Sequence, residues 1–155
     1  MNNFNKRCQY SNPYNMYGYS NFSYIRDYGP EPIVVNMEDI TKQNNTFRTV
    51  LWTGNHMQLT LMSLNPGESI GLEMHPNIDQ FIRIEQGRGL VQIGNAQNNF
   101  TIQKKVFDNN AFIIPAGKWH NLTNIGENSL KLYSIYAPPN HSKGTIHYTK
   151  KDAEH

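Results

Sequence analysis

Two short stretches gather the residues best suited to hold a metal ion. The first, Gly67 to Gly89 (GESIGLEMHPNIDQFIRIEQGRG), carries Glu73 and His75, and the second, Pro115 to Asn124 (PAGKWHNLTN), carries His120. Residues two apart on an extended strand project to the same face. Glu73 and His75 therefore aim a carboxylate and an imidazole at one point while Met74 faces away. Asn65-Pro66-Gly67 is a turn ahead of that strand and Pro76-Asn77 breaks it. A second strand, Asp79 to Glu85, returns toward Gly87 with Gln80, Ile82 and Ile84 on one face and Asp79, Phe81 and Arg83 on the other. Downstream, Pro115-Ala116-Gly117 turns tightly and delivers His120 at the start of a new strand. Two imidazoles plus oxygen donors, with room left for water, suit a catalytic or exchangeable divalent ion such as Mn, Fe, Co, Ni or Zn.

These stretches resemble the two motifs of the cupin superfamily, G-x5-H-x-H-x3,4-E-x6-G and G-x5-P-x-G-x2-H-x3-N. Pro115, Gly117, His120 and Asn124 match the second motif at every position after its opening glycine, which is replaced by Asn109, a residue that also tolerates left-handed backbone. Gly67, His75 and Gly87 match the first motif, while Glu73 stands for its first histidine and Gln80 for its glutamate. The resemblance spans about two-thirds of the chain and implies a single-domain jelly-roll barrel with a metal held by Glu73, His75, Gln80 and His120. It is specific for fold and less so for chemistry, since one fold hosts many reactions. The exchanges leave one negative charge among the four candidate ligands. Asp79 offers a stronger oxygen than the Gln80 amide, but strand alternation puts it on the opposite face unless Pro76 forces a bulge. The spacing to Gly87 favours Gln80. The plain alternative is a barrel whose His75 and His120 are hydrogen-bonded interior histidines.

The elements that must position these residues are short and β-rich. Phe47 to Trp52 and Met57 to Leu64 form a hairpin around Thr53-Gly54-Asn55, and in the second run Gln58 and Thr60 alternate with apolar residues as candidate pocket groups. Arg88 to Ile93, Phe100 to Val106, a buried Ala111 to Ile114 and Leu130 to Tyr136 read as further strands. Regular short strands with turns between them make an all-β barrel, and no internal repeat is visible, so one barrel rather than two is expected over 31–148. Ile33-Val34-Val35 reads as a short strand. Asn36 caps a brief helix through Lys42, with Asp39 at its third position. Thr149 and Asp152 resemble a capping box opening a C-terminal tail or helix over 149–155.

Composition bounds the rest. A chain of 155 residues with a formal charge of +2 is one domain's worth and lacks the basic, aromatic-interleaved patch of a nucleic-acid binder. No apolar run crosses a membrane and no signal peptide is visible. Cys8 is the single cysteine, so no intrachain disulfide forms, which fits a cytoplasmic setting. Residues 1–30 mix asparagine and tyrosine with few aliphatics and cannot build a core alone. They read as a flexible or wrapping extension that deletion through residue 28 should leave dispensable, with assembly into a spore coat or other protein layer as the sharper alternative.

Among smaller features, Lys118 alternates with His120 and is a candidate to neutralise an anion such as phosphate. Arg83 and Glu85 pair on the non-ligand face. Tyr133, Tyr136 and Tyr148 read as packing residues, and His56, His141 and His147 as surface or interface residues. Three functions compete. The resemblance to mannose-6-phosphate isomerase-like cupins favours metal-assisted isomerisation of a sugar or sugar phosphate, with Glu73 or Asp79 shuttling the proton. An iron-dependent dioxygenase is second, with the loss of the fuller histidine set weighing against it. A non-enzymatic ligand-binding or coat-associated barrel is third. A small-molecule ligand and a homodimer are expected in each case.

Overall fold

The computed structural model describes residues 24–154, so the expectations for Cys8 and for the Asn/Tyr-rich segment up to residue 23 lie outside the described residues. Strands β1 (Arg48–Thr53), β2 (Gln58–Leu64), β3 (Glu73–Met74), β4 (Asp79–Gln86), β5 (Gly89–Ala96), β6 (Asn99–Val106), β7 (Ala111–Ile114), β8 (Trp119–Asn124), β9 (Leu130–Ala137) and β10 (Ile146–His147) are joined by helices α1 (Met37–Gln43) and α2 (Lys150–Ala153). They form two antiparallel sheets, β10-β1-β2-β9-β4-β7 and β3-β8-β5-β6. Met62 and Leu64 on β2, Leu130 and Leu132 on β9, and Ile82 and Ile84 on β4 meet Val91, Ile93 and Leu122 from the other sheet in one buried cluster. Alternation along each strand thus builds the core between the sheets, and the expected all-β jelly-roll barrel is what the chain forms.

The outer face of β2 is buried as well. Leu61, with Leu51 of β1 and Ile40 of α1, forms a second cluster against which Ile25, Tyr28, Met37, Leu59 and Tyr133 pack. Helix α1 begins as expected, Asp39 N donating to Asn36 Oδ1 at 3.1 Å. At the C-terminus Thr149 N donates to Asp152 Oδ2 at 2.9 Å, one limb of the capping box. No helix among the described residues is long and apolar enough to cross a membrane.

Four expectations are corrected. Residues 33–35 are not a strand: none of the described residues pairs with them and Val34 is 75% exposed. Ala111–Ile114 is an edge strand rather than a buried one, with Ile113 67% exposed. A short strand, β10, forms on the far edge where none was expected, Ile146 and His147 pairing with Thr49 and Arg48. Finally, the boundary placed at residue 30 comes too late, because residues 25–29 are built into the barrel. Tyr28 N donates to Leu51 O, and Asp27 accepts from Gly29 N at 2.9 Å, Thr53 Oγ1 at 2.5 Å and Gly144 N at 3.0 Å.

Burial pushes the Asp27 carboxyl up, but the hydrogen bonds from Thr53, Gly144 and Gly29 outweigh it and hold the group below its ordinary 3.8. A carboxylate depressed in the folded state stabilises above its unfolded pKa, and that contribution is lost as pH falls through the folded value. Asp27→Asn should therefore lower the unfolding free energy by about 1–2 kcal/mol at neutral pH, with the gap to wild type closing as the solution is acidified below the ordinary value of 3.8. Denaturant titrations at neutral and at acid pH check this; a gap that ignores pH would place the loss in shape rather than in charge.

Candidate metal centre

The cluster is assembled by one short strand pair and one turn. Glu73 lies directly opposite His120 in the β3–β8 register, so their side chains leave the same face as near neighbours. His75 follows just past β3, and its carbonyl accepts from Gly117 N at 2.8 Å. This bond ties the turn of the second motif to the ligand strand of the first. Gly117 sits at φ 85°, left-handed backbone that a side chain would strain. Asn109, in the position of the missing motif glycine, is likewise left-handed at φ 67°. Asn124 closes the second motif by joining segments: its Nδ2 donates to Leu64 O and Asn128 O, both at 2.9 Å, and its Oδ1 accepts from Gly126 N at 2.9 Å.

One ligand atom each from Glu73, His75 and His120 lie within 4.8 Å of one another. Glu73 Oε1 stands 3.4 Å from His75 Nε2 and 3.4 Å from His120 Nε2. Two donors bound at about 2.1 Å to one ion stand roughly 3.0–3.4 Å apart, whereas a charge-assisted hydrogen bond closes to about 2.7–2.9 Å. Both Nε2 atoms are buried and have no hydrogen-bond partner among the described residues, so each nitrogen is free for an ion. His120 Nδ1 lies 3.1 Å from the Lys118 carbonyl. A carbonyl only accepts, so Nδ1 carries the proton and Nε2 keeps its lone pair, the usual way a ligating imidazole is oriented. Burial pushes the Glu73 carboxyl up, but the attraction of the His120 and His75 rings prevails and brings its pKa down to about 2. The site therefore presents one fixed negative charge and two imidazole nitrogens, which fits a divalent cation.

Gln80 shares the interior face with Ile82 and Ile84, as the alternation of β4 requires. Its Nε2 donates to Ser134 Oγ at 2.8 Å, and its Oε1 is buried without a partner among the described residues. Its register neighbour is Tyr136, whose ring meets His75 edge-on at 6.0 Å. Thr60 is fully buried with an unpartnered Oγ1, in register with Ser134 on the same interior wall.

Three expected site residues are placed elsewhere. Asp79 is exposed, and its Oδ1 accepts from Ala116 N at 2.9 Å, so it braces the 115–117 turn from outside. Lys118 turns its ammonium to Asn95 Oδ1, and only its backbone carbonyl serves the cluster. Gln58 does face inward and is buried, but every hydrogen-bonding position of its amide is taken. Nε2 donates to Thr53 Oγ1 at 3.0 Å and His141 O at 2.8 Å, and Oε1 accepts from Asn140 N at 3.1 Å and His141 N at 2.8 Å. It is a tether for the 140–141 loop rather than a pocket group.

Residues beyond the motifs pack next to His75, beginning with Tyr136. Tyr136, 1% exposed, meets the His141 ring edge-on at 5.2 Å, with His141 Nε2 3.4 Å from its hydroxyl. Burial, helped by the charge of Arg48, pushes the His141 imidazole down to about 4, so it is neutral at physiological pH. Arg48 is 5% exposed, and its Nη1 lies 3.2 Å from His147 Nδ1. His141 and His147 are therefore not plain surface residues. Their positions follow from the Gln58 tether and from β10, both contacts distant in sequence. Arg83 and Glu85 do pair outside the barrel, Nε to Oε1 at 2.8 Å.

The family described as Cupin domain matches residues 60–136. The Bacillus subtilis protein YrkC, described as uncharacterized, is 62% identical over 129 residues, which are 83% of this chain and 69% of YrkC. An uncharacterized protein of Acanthamoeba polyphaga mimivirus is 41% identical over 114 residues, 73% of this chain and 69% of the viral one. A Bacillus halodurans crystal structure superposes with a TM-score of 0.83 at 59% identity, covering 84% of this chain and 98% of that one. A predicted oxalate decarboxylase from Thermotoga maritima superposes with a TM-score of 0.52 at 18% identity, over 59% of this chain and 79% of that one, a likeness of fold alone.

Proposed function

This chain belongs to the cupin superfamily, and from that premise we propose that it is a metal-dependent enzyme acting on a small molecule inside the barrel. Glu73, His75 and His120 hold a divalent ion, with Gln80 Oε1 as a fourth donor. The observation that carries this reading is the pair of buried, unpartnered Nε2 atoms converging on one ionised carboxylate. Such an ion supplies Lewis acidity toward a carbonyl or hydroxyl oxygen. The chain's own residues do the rest. Lys118 O fixes the His120 ring, Ser134 fixes the Gln80 amide, and the buried Tyr136–His141 pair offers a neutral imidazole and a phenol beside His75 for proton movement. Of the reactions this set suits, isomerisation of a sugar or sugar phosphate is our first reading, with proton transfer assigned to the Tyr136–His141 pair rather than to Asp79. An iron-dependent dioxygenase is the second, favoured by one observation, the two-histidine, one-carboxylate donor set.

Elemental analysis of the purified protein and of His75→Ala/His120→Ala is the first experiment. About one equivalent of Mn, Fe, Co, Ni or Zn in the wild type and none in the variant is the expected result; equal metal in both would remove the site. Incubation of the loaded protein with sugar phosphates in deuterated water then separates the two chemistries. Isomerisation places deuterium in the product, oxygenation consumes dissolved oxygen, and the absence of both would leave a ligand-binding barrel. A cytoplasmic homodimer remains our expectation for its setting, with a protein layer as the alternative.

A further inference from the structure

Arg48 is a buried cation that no anion of the described residues neutralises. It lies opposite Met62 in the β1–β2 register, and Met62 belongs to the cluster between the sheets, so the Arg48 side chain runs into the barrel. It is 5% exposed, and among the described residues no carboxylate forms an ion pair with it. Its Nε is buried with no partner. The contacts it does make are to neutral groups: His147 Nδ1 accepts from Nη1 at 3.2 Å, and the Phe47 ring lies 5.3 Å from Cζ. An isolated charge taken out of water costs several kcal/mol unless paired. A fold that keeps one there for packing alone would be better served by methionine or leucine.

The position of this charge points to a ligand. Met62, opposite Arg48, stands two residues along β2 from Thr60, and the register partner of Thr60 is Ser134, which holds the Gln80 amide. One interior wall thus carries both Arg48 and the residues next to the metal cluster. Thr60 Oγ1, buried beside the Tyr136 hydroxyl and without a partner in full hydrogen-bond geometry among the described residues, faces the same interior from the adjoining strand. A guanidinium fork with a hydroxyl nearby is the donor set that receives a carboxylate or phosphate.

We propose that Arg48 is a ligand-binding residue, its guanidinium receiving the carboxylate or phosphate group of the small molecule that occupies the barrel, with Thr60 Oγ1 as a second donor. The inference rests on the reading of the barrel interior as a small-molecule site and narrows it to anionic ligands. It also replaces Lys118, whose side chain is turned away, as the cation of that site.

Inorganic phosphate and acetate are the probes, titrated separately into the full-length protein by calorimetry at low ionic strength, once metal-loaded and once stripped by chelator. Saturable binding of one equivalent of either anion is expected in both metal states, and the tighter probe names the group. Arg48→Met should weaken it at least tenfold while keeping its equivalent of metal. The Arg48 Nε–H resonance of the wild type should also shift on saturation, a readout that needs no variant to fold. Absence of saturable binding, an unmoved resonance, or equal affinity in Arg48→Met would overturn the proposal. Binding seen only with metal and indifferent to Arg48 would overturn it while leaving the metal reading intact. Arg48-dependent binding in a protein that takes up no metal would uphold it and defeat the metal reading.

Discussion

Glu73→Gln is expected to lower metal affinity by at least about a hundredfold while leaving the metal-free protein folded, though less stable than the wild type. Glu73 is the only carboxylate that the described residues bring to the cluster, and with a pKa brought down to about 2 it is ionised throughout the working range. Glutamine keeps the shape and one oxygen but removes the charge that offsets a divalent ion. Residues that merely orient ligands cost roughly 10–100-fold in affinity when replaced, so loss of the sole anionic donor belongs at or beyond the top of that range. In the metal-free protein the cost is moderate. Glutamine gives up the attraction that holds Glu73 at about 2 instead of 4.5, a loss of about 1–2 kcal/mol once the screening of a part-exposed carboxylate with 3.4 Å contacts is counted. Chelator competition measures the affinity, and thermal melts of stripped protein measure the rest. Wild-type affinity in Glu73→Gln would move the ion away from this cluster. A collapse of the stripped protein would instead make Glu73 a structural residue.

The contrast between what was legible in the sequence and what was not follows the range of the interactions. Glu73, His75 and His120 were readable because strand alternation and a two-residue spacing act locally, and the turn at Pro115-Ala116-Gly117 fixes where His120 emerges. The same local logic put Asp79 on the face opposite Gln80, where the structure has it. Its service to Ala116 N was hidden by a sequence separation of 37 positions. Residues 33–35 are β-branched and apolar, yet an extended segment becomes a strand only beside a partner, and none of the described residues supplies one. Arg48 carries no local signal at all. Its meaning depends on a register that points it between the sheets and on the lack of an ion pair with any carboxylate of the described residues. His141 and His147 resembled surface residues because their surroundings come from Gln58 and β1, both far away in sequence.

Gln58 is where that long-range dependence has its largest structural consequence. Gln58→Leu fills similar volume but leaves Asn140 N, His141 N and His141 O without their partners on Gln58. Buried groups left unsatisfied cost about 1–3 kcal/mol each before relaxation. With the loop able to reach water for some of them, a net loss of about 3 kcal/mol is expected, seen as a fall in Tm on the order of 6–12 °C. A second readout separates a tether from a simple packing residue. His141 is held neutral chiefly by burial, with its pKa down near 4. If Gln58 holds the loop, releasing it exposes the ring, and the His141 pKa should rise toward the ordinary 6.5 in a proton-detected titration. The Tyr136 hydroxyl loses its neighbour at the same time, so proton transfer by that pair should fall with little change in metal content. An unaltered Tm together with an unaltered His141 titration would mean that the loop is held by other contacts. The Gln58 amide would then be free to meet a ligand, in the pocket role that its four hydrogen bonds now deny it.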